Sequence, residues 1–157
     1  MKRFIAGIFL LCFLFATPAF SQKNTPASRP AMQVKQKIYT TLDGLTDSSG
    51  IAVADAERMI ALPLLIQDAK KYNYSISSYQ FMYMKKGVTE DEQTGKVTPV
   101  TSAVSNIFKT TPLSPIWIKS IQEQVKPGDE LFFFDIIVKD AAGKLHYAPT
   151  LRLIVKG

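Results

Sequence analysis

Cysteine and histidine are almost missing from this chain. Its 157 residues hold one of each, Cys12 and His146, and a single tryptophan, Trp117. Cys12 sits in an N-terminal apolar run, so the body of the chain offers no disulfide, no thiol nucleophile and no thiolate metal site. A hydrolytic zinc centre takes three protein ligands, usually more than one of them histidine. No Gly-x-Ser-x-Gly elbow is present to activate a serine. Concentrated charge is lacking too. Lys and Arg outnumber Asp and Glu by 19 to 13, for a net +6, but the lysines are scattered, Lys35, Lys37, Lys70, Lys71, Lys85, Lys86, Lys119, Lys126 and Lys139 among them. A nucleic-acid binder gathers such charges on one groove or helix, so no nucleic-acid partner is expected.

Long hydrophobic runs are also short in supply. The one candidate, Phe4 to Ala16, is 13 residues, and a membrane-spanning helix needs about 20. Lys2 and Arg3 precede it, and Pro18 and Ala19-Phe20-Ser21 follow, with small residues at the −3 and −1 positions of a cleavage site. That is the layout of a secretory signal peptide over 1–21, with an uncleaved signal anchor as the alternative. Leu10 and Leu11 stand where a lipoprotein cysteine wants a small residue, which argues against lipidation at Cys12. Cleavage leaves 136 residues, enough for one domain with an ordinary apolar core, and lowers the net charge by two, to +4. The expected location is the periplasm or the exterior, with no integral membrane span after cleavage. Residues 22–34, polar with Pro26 and Pro30, read as a flexible linker, and 35–157 as the folded domain.

Within that domain, "KIYTTLDGLTDSSG" predicts a short extended segment closed by a turn at Asp47 to Gly50. Ala54 to Met59 is good helix material, whereas Ile60, Leu62, Leu64 and Ile66 alternate as in a strand interrupted by Pro63. "YNYSISSYQFMYMKKG" is the clearest strand. Its apolar parity switches near Ser77-Ser78, from Tyr72, Tyr74 and Ile76 to Tyr79, Phe81 and Tyr83, which predicts a bulge. "VTEDEQTGK" reads as a solvated loop, and Val97 to Phe108 as a weaker strand. "LSPIWIKSIQEQVKPG" is a helix: Ser114 is placed to cap it, Pro115 fits the first turn, and Trp117, Ile121 and Val125 recur every four residues. Lys126-Pro127-Gly128 ends it. "DELFFFDIIVKD", a loop around Gly143, "KLHY", a break at Pro149 and "TLRLIVKG" complete a strand-rich chain. The expected fold is mainly β, an antiparallel sandwich-like (Ig-like) single domain with one short α-helix.

The candidate chemistry lies in Lys126 to Pro149, where Asp129, Glu130, Asp135 and Asp140 precede His146. Asp129 falls in the Pro-Gly turn and Asp140 at the hairpin, positions where aspartate bonds its own backbone. Asp135 falls between apolar neighbours on one face of its strand and needs a partner there, since an unpaired buried carboxylate is costly. A pairing of Asp135 with His146 across the hairpin is the one arrangement that leads toward a small hydrolase. Tyr79, Phe81 and Tyr83 are candidate partner-binding residues, on a protein-contact or carbohydrate-binding surface, though aromatics at this spacing also build cores. No catalytic, cofactor or metal residues are assigned.

The stretches "YSISSYQFMYMKKG", "LSPIWIKSIQEQVKPGDELFFFDIIVKDAAGKL" and "APTLRLIV" together resemble the C-terminal periplasmic domain of the GldM family of gliding-motility-associated proteins. Ser78, Tyr79, Ser114, Pro115, Ile121, Lys126, Pro127, Gly128, Asp129, Phe134, Asp135, Ile136, Asp140, Gly143 and Pro149 carry the likeness, which spans about 51–155. The resemblance implies a non-enzymatic β domain of Bacteroidetes-type bacteria that contacts other envelope proteins, components of the type IX secretion and gliding machinery among them. It implies scaffold roles in turns and caps for Ser114, Pro115, Pro127, Gly128, Asp129, Asp135, Asp140 and Gly143. The family's full-length members add a membrane helix and a multidomain stalk, so motor function does not carry over. A homo-oligomer is compatible with this reading.

Overall fold

The computed structural model describes residues 37–157; the expected signal peptide and linker, 1–21 and 22–34, lie outside the described residues. The elements in order are β1 (Ile38–Thr41), β2 (Ser49–Ala52), α1 (Val53–Met59), β3 (Leu65–Asp68), β4 (Ser75–Glu90), β5 (Val97–Phe108), α2 (Pro115–Gln124), β6 (Glu130–Lys139), β7 (Leu145–Ala148) and β8 (Leu151–Lys156). The large sheet runs β2-β8-β6-β4-β5 with β7 also beside β6, and β1 pairs with β3 in a separate two-stranded sheet. The mainly-β, sandwich-like class is therefore the class observed. Several details differ from expectation. Ala54–Met59 forms a second helix with Val53, and Ile60, Leu62 and Leu64 lie outside the strand that begins at Leu65. Ser49 and Gly50 open β2 rather than sit in a turn, and β2 joins β8 in parallel rather than antiparallel.

One face of the large sheet is buried, and alternation explains which. Tyr79, Phe81 and Tyr83 of β4, Leu131 and Phe133 of β6, and Leu151, Leu153 and Val155 of β8 all point into a core completed by Ala56, Met59, Ile66 and Ile121. The aromatic rings interlock there. Phe81 lies 4.8 Å from Phe133 and edge-on to Trp117 of α2 at 5.8 Å, and Tyr79 stacks on Phe108 at 5.6 Å. Such pairs add about 0.5–1.5 kcal/mol each beyond the area they bury.

Two bulges keep neighbouring strands facing the same core. Ile76 pairs with Val138 and Ser78 with Ile137, leaving Ser77 as the extra residue on β4, at the place where the parity switch predicts it. Gln80 pairs with Phe134, so Tyr79 stands opposite both Asp135 and Ile136, a second bulge on β6. Asp135 takes φ 48°, the left-handed region that aspartate tolerates better than branched residues. Before this bulge β6 buries Leu131 and Phe133; after it, Ile136 and Val138. The expectation of unbroken alternation through "LFFFDIIV" is thus corrected. Asp135 is turned out to solvent instead of in among apolar side chains. β8 covers β6 up to Phe133 and β7 covers it from Ile136, so the Pro149-Thr150 break lies opposite the bulge. Thr40 of β1 donates to the Pro149 carbonyl at 2.7 Å and ties the small sheet to that break.

β4 and β5 outrun the rest of the sheet. β4 is paired to β6 only as far as Met84–Glu130, while its pairing with β5 continues to Glu90–Val97. Val88, Thr89 and Glu90, expected in a loop, are therefore strand residues. They form the outer half of a ribbon that projects past β6, and the connecting loop is shorter, 91–96.

Candidate functional site

Tyr79, Phe81 and Tyr83 are the clearest correction. Candidates for meeting a partner as well as for filling the core, they are 1%, 0% and 1% exposed, which puts all three in the core. Their odd parity on β4 turns them to the core, and both hydroxyls are taken. Tyr79 donates to the Thr110 carbonyl at 3.1 Å and Tyr83 to Asp129 Oδ2 at 2.6 Å. Burial pushes the Tyr79 phenol up to about 12, with the Thr111 hydroxyl partly offsetting it. Tyr83 is raised further, by burial first and then by the bond to Asp129.

Asp129 does more than cap its own turn. It is completely buried. Oδ2 accepts from Tyr83 and, at 3.1 Å, from the Lys126 N–H; Oδ1 accepts the Lys86 N–H at 2.9 Å. The last bond has a topological reason. β6 starts at Glu130, opposite Met84, so Lys86 has no strand to receive its N–H, and the aspartate stands in for the missing neighbour. The turn that aims Asp129 depends on Gly128, at φ 94°, whose N–H donates to the Val155 carbonyl. Pro127 precedes it and closes α2. Ser114 holds the N-cap position as expected, but its hydroxyl makes no cap bond; its carbonyl receives the Trp117 and Ile118 N–H groups, with Pro115 in the first turn.

Next to Asp129, Glu130 is buried between two cations. Lys86 Nζ lies 2.6 Å from Oε1, and Arg152 grips Oε2 through Nε at 2.7 Å and Nη2 at 2.5 Å. The Lys86 bond first, and Arg152 with it, hold the Glu130 carboxyl below its ordinary range against the opposing effect of burial. Nothing in the local sequence marks this triad, because the partners come from β4 and β8.

The acid–histidine pair does form, with a different acid. His146 Nε2 lies 2.8 Å from Asp140 Oδ2, while Oδ1 of Asp140 accepts the Ala142 and Lys144 N–H groups of the hairpin loop. These bonds, His146 first, hold Asp140 below the usual carboxylate range. Gly143, at φ 79°, lets that loop close. Asp135 instead accepts from Gln80 Nε2 at 2.9 Å. The structure therefore does not assemble the dyad on which the hydrolase alternative depends. Among the described residues no group of three or more His, Cys, Asp or Glu side chains could hold a metal ion, and no helix is long and apolar enough to cross a membrane.

The surface that stands out is the β5 edge. All of β5 except Phe108 is exposed. Val97, Val100, Val104 and Ile107 are 56%, 45%, 49% and 61% accessible, and no charge interrupts the strand between Lys96 and Lys109. Pairing puts the even residues of β5 on the core side of the sheet and the odd ones on the outer side. A depression of about 270 Å³ lined by Val104, Ile116, Trp117 and Ser120 lies toward α2. Another of about 360 Å³, which includes Ile107, Gln80, Asp135 and Tyr147, lies at the β6 bulge. Sequence reasoning missed this edge. Its signal was the uncharged run, but edge status follows from strand order, which local patterns do not reveal.

No protein-family model matches the sequence, and no curated protein matches it.

Proposed function

We propose that this protein is an exported, non-enzymatic contact module of the bacterial cell envelope, and that it binds another polypeptide along β5. One observation carries the reading: among the described residues a 12-residue edge strand stands open, with no charge on it. Edge strands of soluble proteins are normally kept short, charged or covered, because their free N–H and C=O groups template pairing with another chain. An extended segment added to such an edge gains main-chain hydrogen bonds for affinity and alternate side-chain pockets for selectivity. The depressions flanking β5 provide such pockets. The partner belongs to the envelope, in keeping with the likeness to the GldM domain, and type IX secretion components are the first to test.

A photo-reactive amino acid in place of Thr101, on the outer side of β5, tests this in the producing cells. The expected result is a cross-link to one defined polypeptide, lost when the photo-reactive residue is moved to Lys139. Equal or absent cross-linking at both positions would overturn the reading.

A further inference from the structure

The depression of about 360 Å³ at the β6 bulge has a lining of its own, and its chemistry does not depend on a partner along β5. Two rows of cross-strand neighbours frame it. Ser78, Ile137 and Tyr147 make one row across β4, β6 and β7; Gln80 and Ile107 make the other across β4 and β5. The rows are two residues apart on β4, about 6.8 Å. Both lie on the outer face, because β4 buries Tyr79 between Ser78 and Gln80. Between the rows the bulge inserts Asp135, which is exposed and whose carboxylate accepts from Gln80 Nε2 at 2.9 Å. Its φ of 48° is costly for a residue with a side chain, and the core makes no use of that side chain. Bulges re-aim side chains in this way beside functional sites.

The Gln80–Asp135 bond leaves most of the pair's polar capacity unused. Gln80 keeps a second amide N–H and Oε1, and Asp135 keeps Oδ1. Among the described residues these atoms, and the hydroxyls of Ser78 and Tyr147, have no other hydrogen-bond partner. Tyr147 is 79% exposed, against 1% for the core residue Tyr79. Its ring, with Ile107 and Ile137, gives the depression apolar walls around a polar middle. We infer that this depression binds one unit of a neutral saccharide. A pyranose carries adjacent hydroxyls that each donate and accept, and a C–H face that packs on an aromatic ring. One hydroxyl donates to Asp135, its neighbour accepts from Gln80, and the C–H face lies against Tyr147.

Charge separates this ligand from its competitors. An ammonium or guanidinium group has donors only, so it would satisfy Asp135 and leave the free Gln80 N–H facing it without an acceptor. The chain's net charge of +6 also opposes the approach of a cation. An acidic sugar or a phosphate would meet the Asp135 carboxylate, and no lysine or arginine lines the depression to offset the repulsion. A neutral sugar meets neither obstacle.

Amide-resolved NMR of the isotope-labelled protein, isolated from its producing cells, tests the site. The probes are the methyl glycosides of glucose, galactose, mannose, fucose and N-acetylglucosamine, with glucuronic acid and butylammonium as charged controls. At least one glycoside should shift the amides of Gln80, Asp135 and Tyr147, with a dissociation constant on the order of 1 mM for a ligand of this size. Neither charged control should shift them. Tyr147→Ala should weaken the response about tenfold, and Asp135→Asn, which tolerates the same left-handed backbone, by a similar factor. Both variants should keep the circular dichroism spectrum, since both side chains are exposed. Tyr72→Ala, at an exposed tyrosine outside the depression, should bind as the unsubstituted protein does. Silence at these amides with every glycoside overturns the inference. So does an equal response to butylammonium, or binding that Tyr147→Ala leaves unweakened. The Thr101 cross-link decides the β5 reading separately.

Discussion

β4 contains two different environments within one continuous strand. From Tyr79 to Met84 it is hydrogen-bonded on both sides, to β5 and β6, and its odd residues are buried. From Lys86 to Glu90 it has β5 alone, and nearly every residue is exposed. An isolated two-stranded ribbon is marginal in water, so the outer half needs an anchor. Asp129 and Glu130 provide it at the boundary, one taking the Lys86 N–H and the other the Lys86 ammonium. The inner half is built for stability. The outer half and β5 leave backbone groups and apolar side chains open, which suits binding and adds little to folding.

Breaking the inner half should cost most. Phe81→Ala removes a fully buried ring touching Phe108, Phe133 and Trp117, with an expected loss of about 3–5 kcal/mol in urea unfolding. Asp129→Ala attacks the boundary. It strands the Tyr83 hydroxyl and the Lys86 and Lys126 N–H groups, at about 1–3 kcal/mol for each group left without a partner. The expected total is about 3 kcal/mol, with faster amide exchange in the projecting ribbon. By contrast, Val88→Thr in the outer half should change stability by no more than about 0.5 kcal/mol.

Between these lies Glu130→Gln, which should cost about 1–2 kcal/mol, since half-exposed Lys86 and Arg152 can return to water. Glu130 also gives the boundary a pH dependence. Its folded pKa lies below the unfolded one, so its stabilisation is complete above the ordinary glutamate range of about 4.3 and is lost as pH falls through the lower folded value. Acid unfolding of Glu130→Gln should lack that component. Tyr79 and Tyr83 act at the other end of the scale. Their raised folded pKa values mean that stability falls once pH passes the ordinary tyrosine value of about 10, and phenolate absorbance should appear together with unfolding.

How much of this the sequence disclosed varied with the range of the interaction. α2 was legible because its signals are local: Pro115 at the start, Trp117, Ile121 and Val125 on one face, Lys126-Pro127-Gly128 at the end. The Ser77 bulge was legible because apolar parity changes there. The Asp135 bulge was hidden because β6 is apolar at both parities, so a one-residue insertion leaves no trace in the alternation. Tyr79, Phe81 and Tyr83 carried the right periodicity for a core, and only their aromatic character suggested a binding face. The Glu130 triad and the edge position of β5 depend on which strands become neighbours, information spread across the whole chain.

Residue-resolved amide exchange of the isolated protein tests the central claim most directly. The account predicts slow exchange across Tyr79–Met84, which is paired on both sides, and fast exchange at Thr101, Ala103 and Ser105, whose N–H groups point away from β4. Slow exchange at those three amides, or fast exchange across Tyr79–Met84, would contradict it.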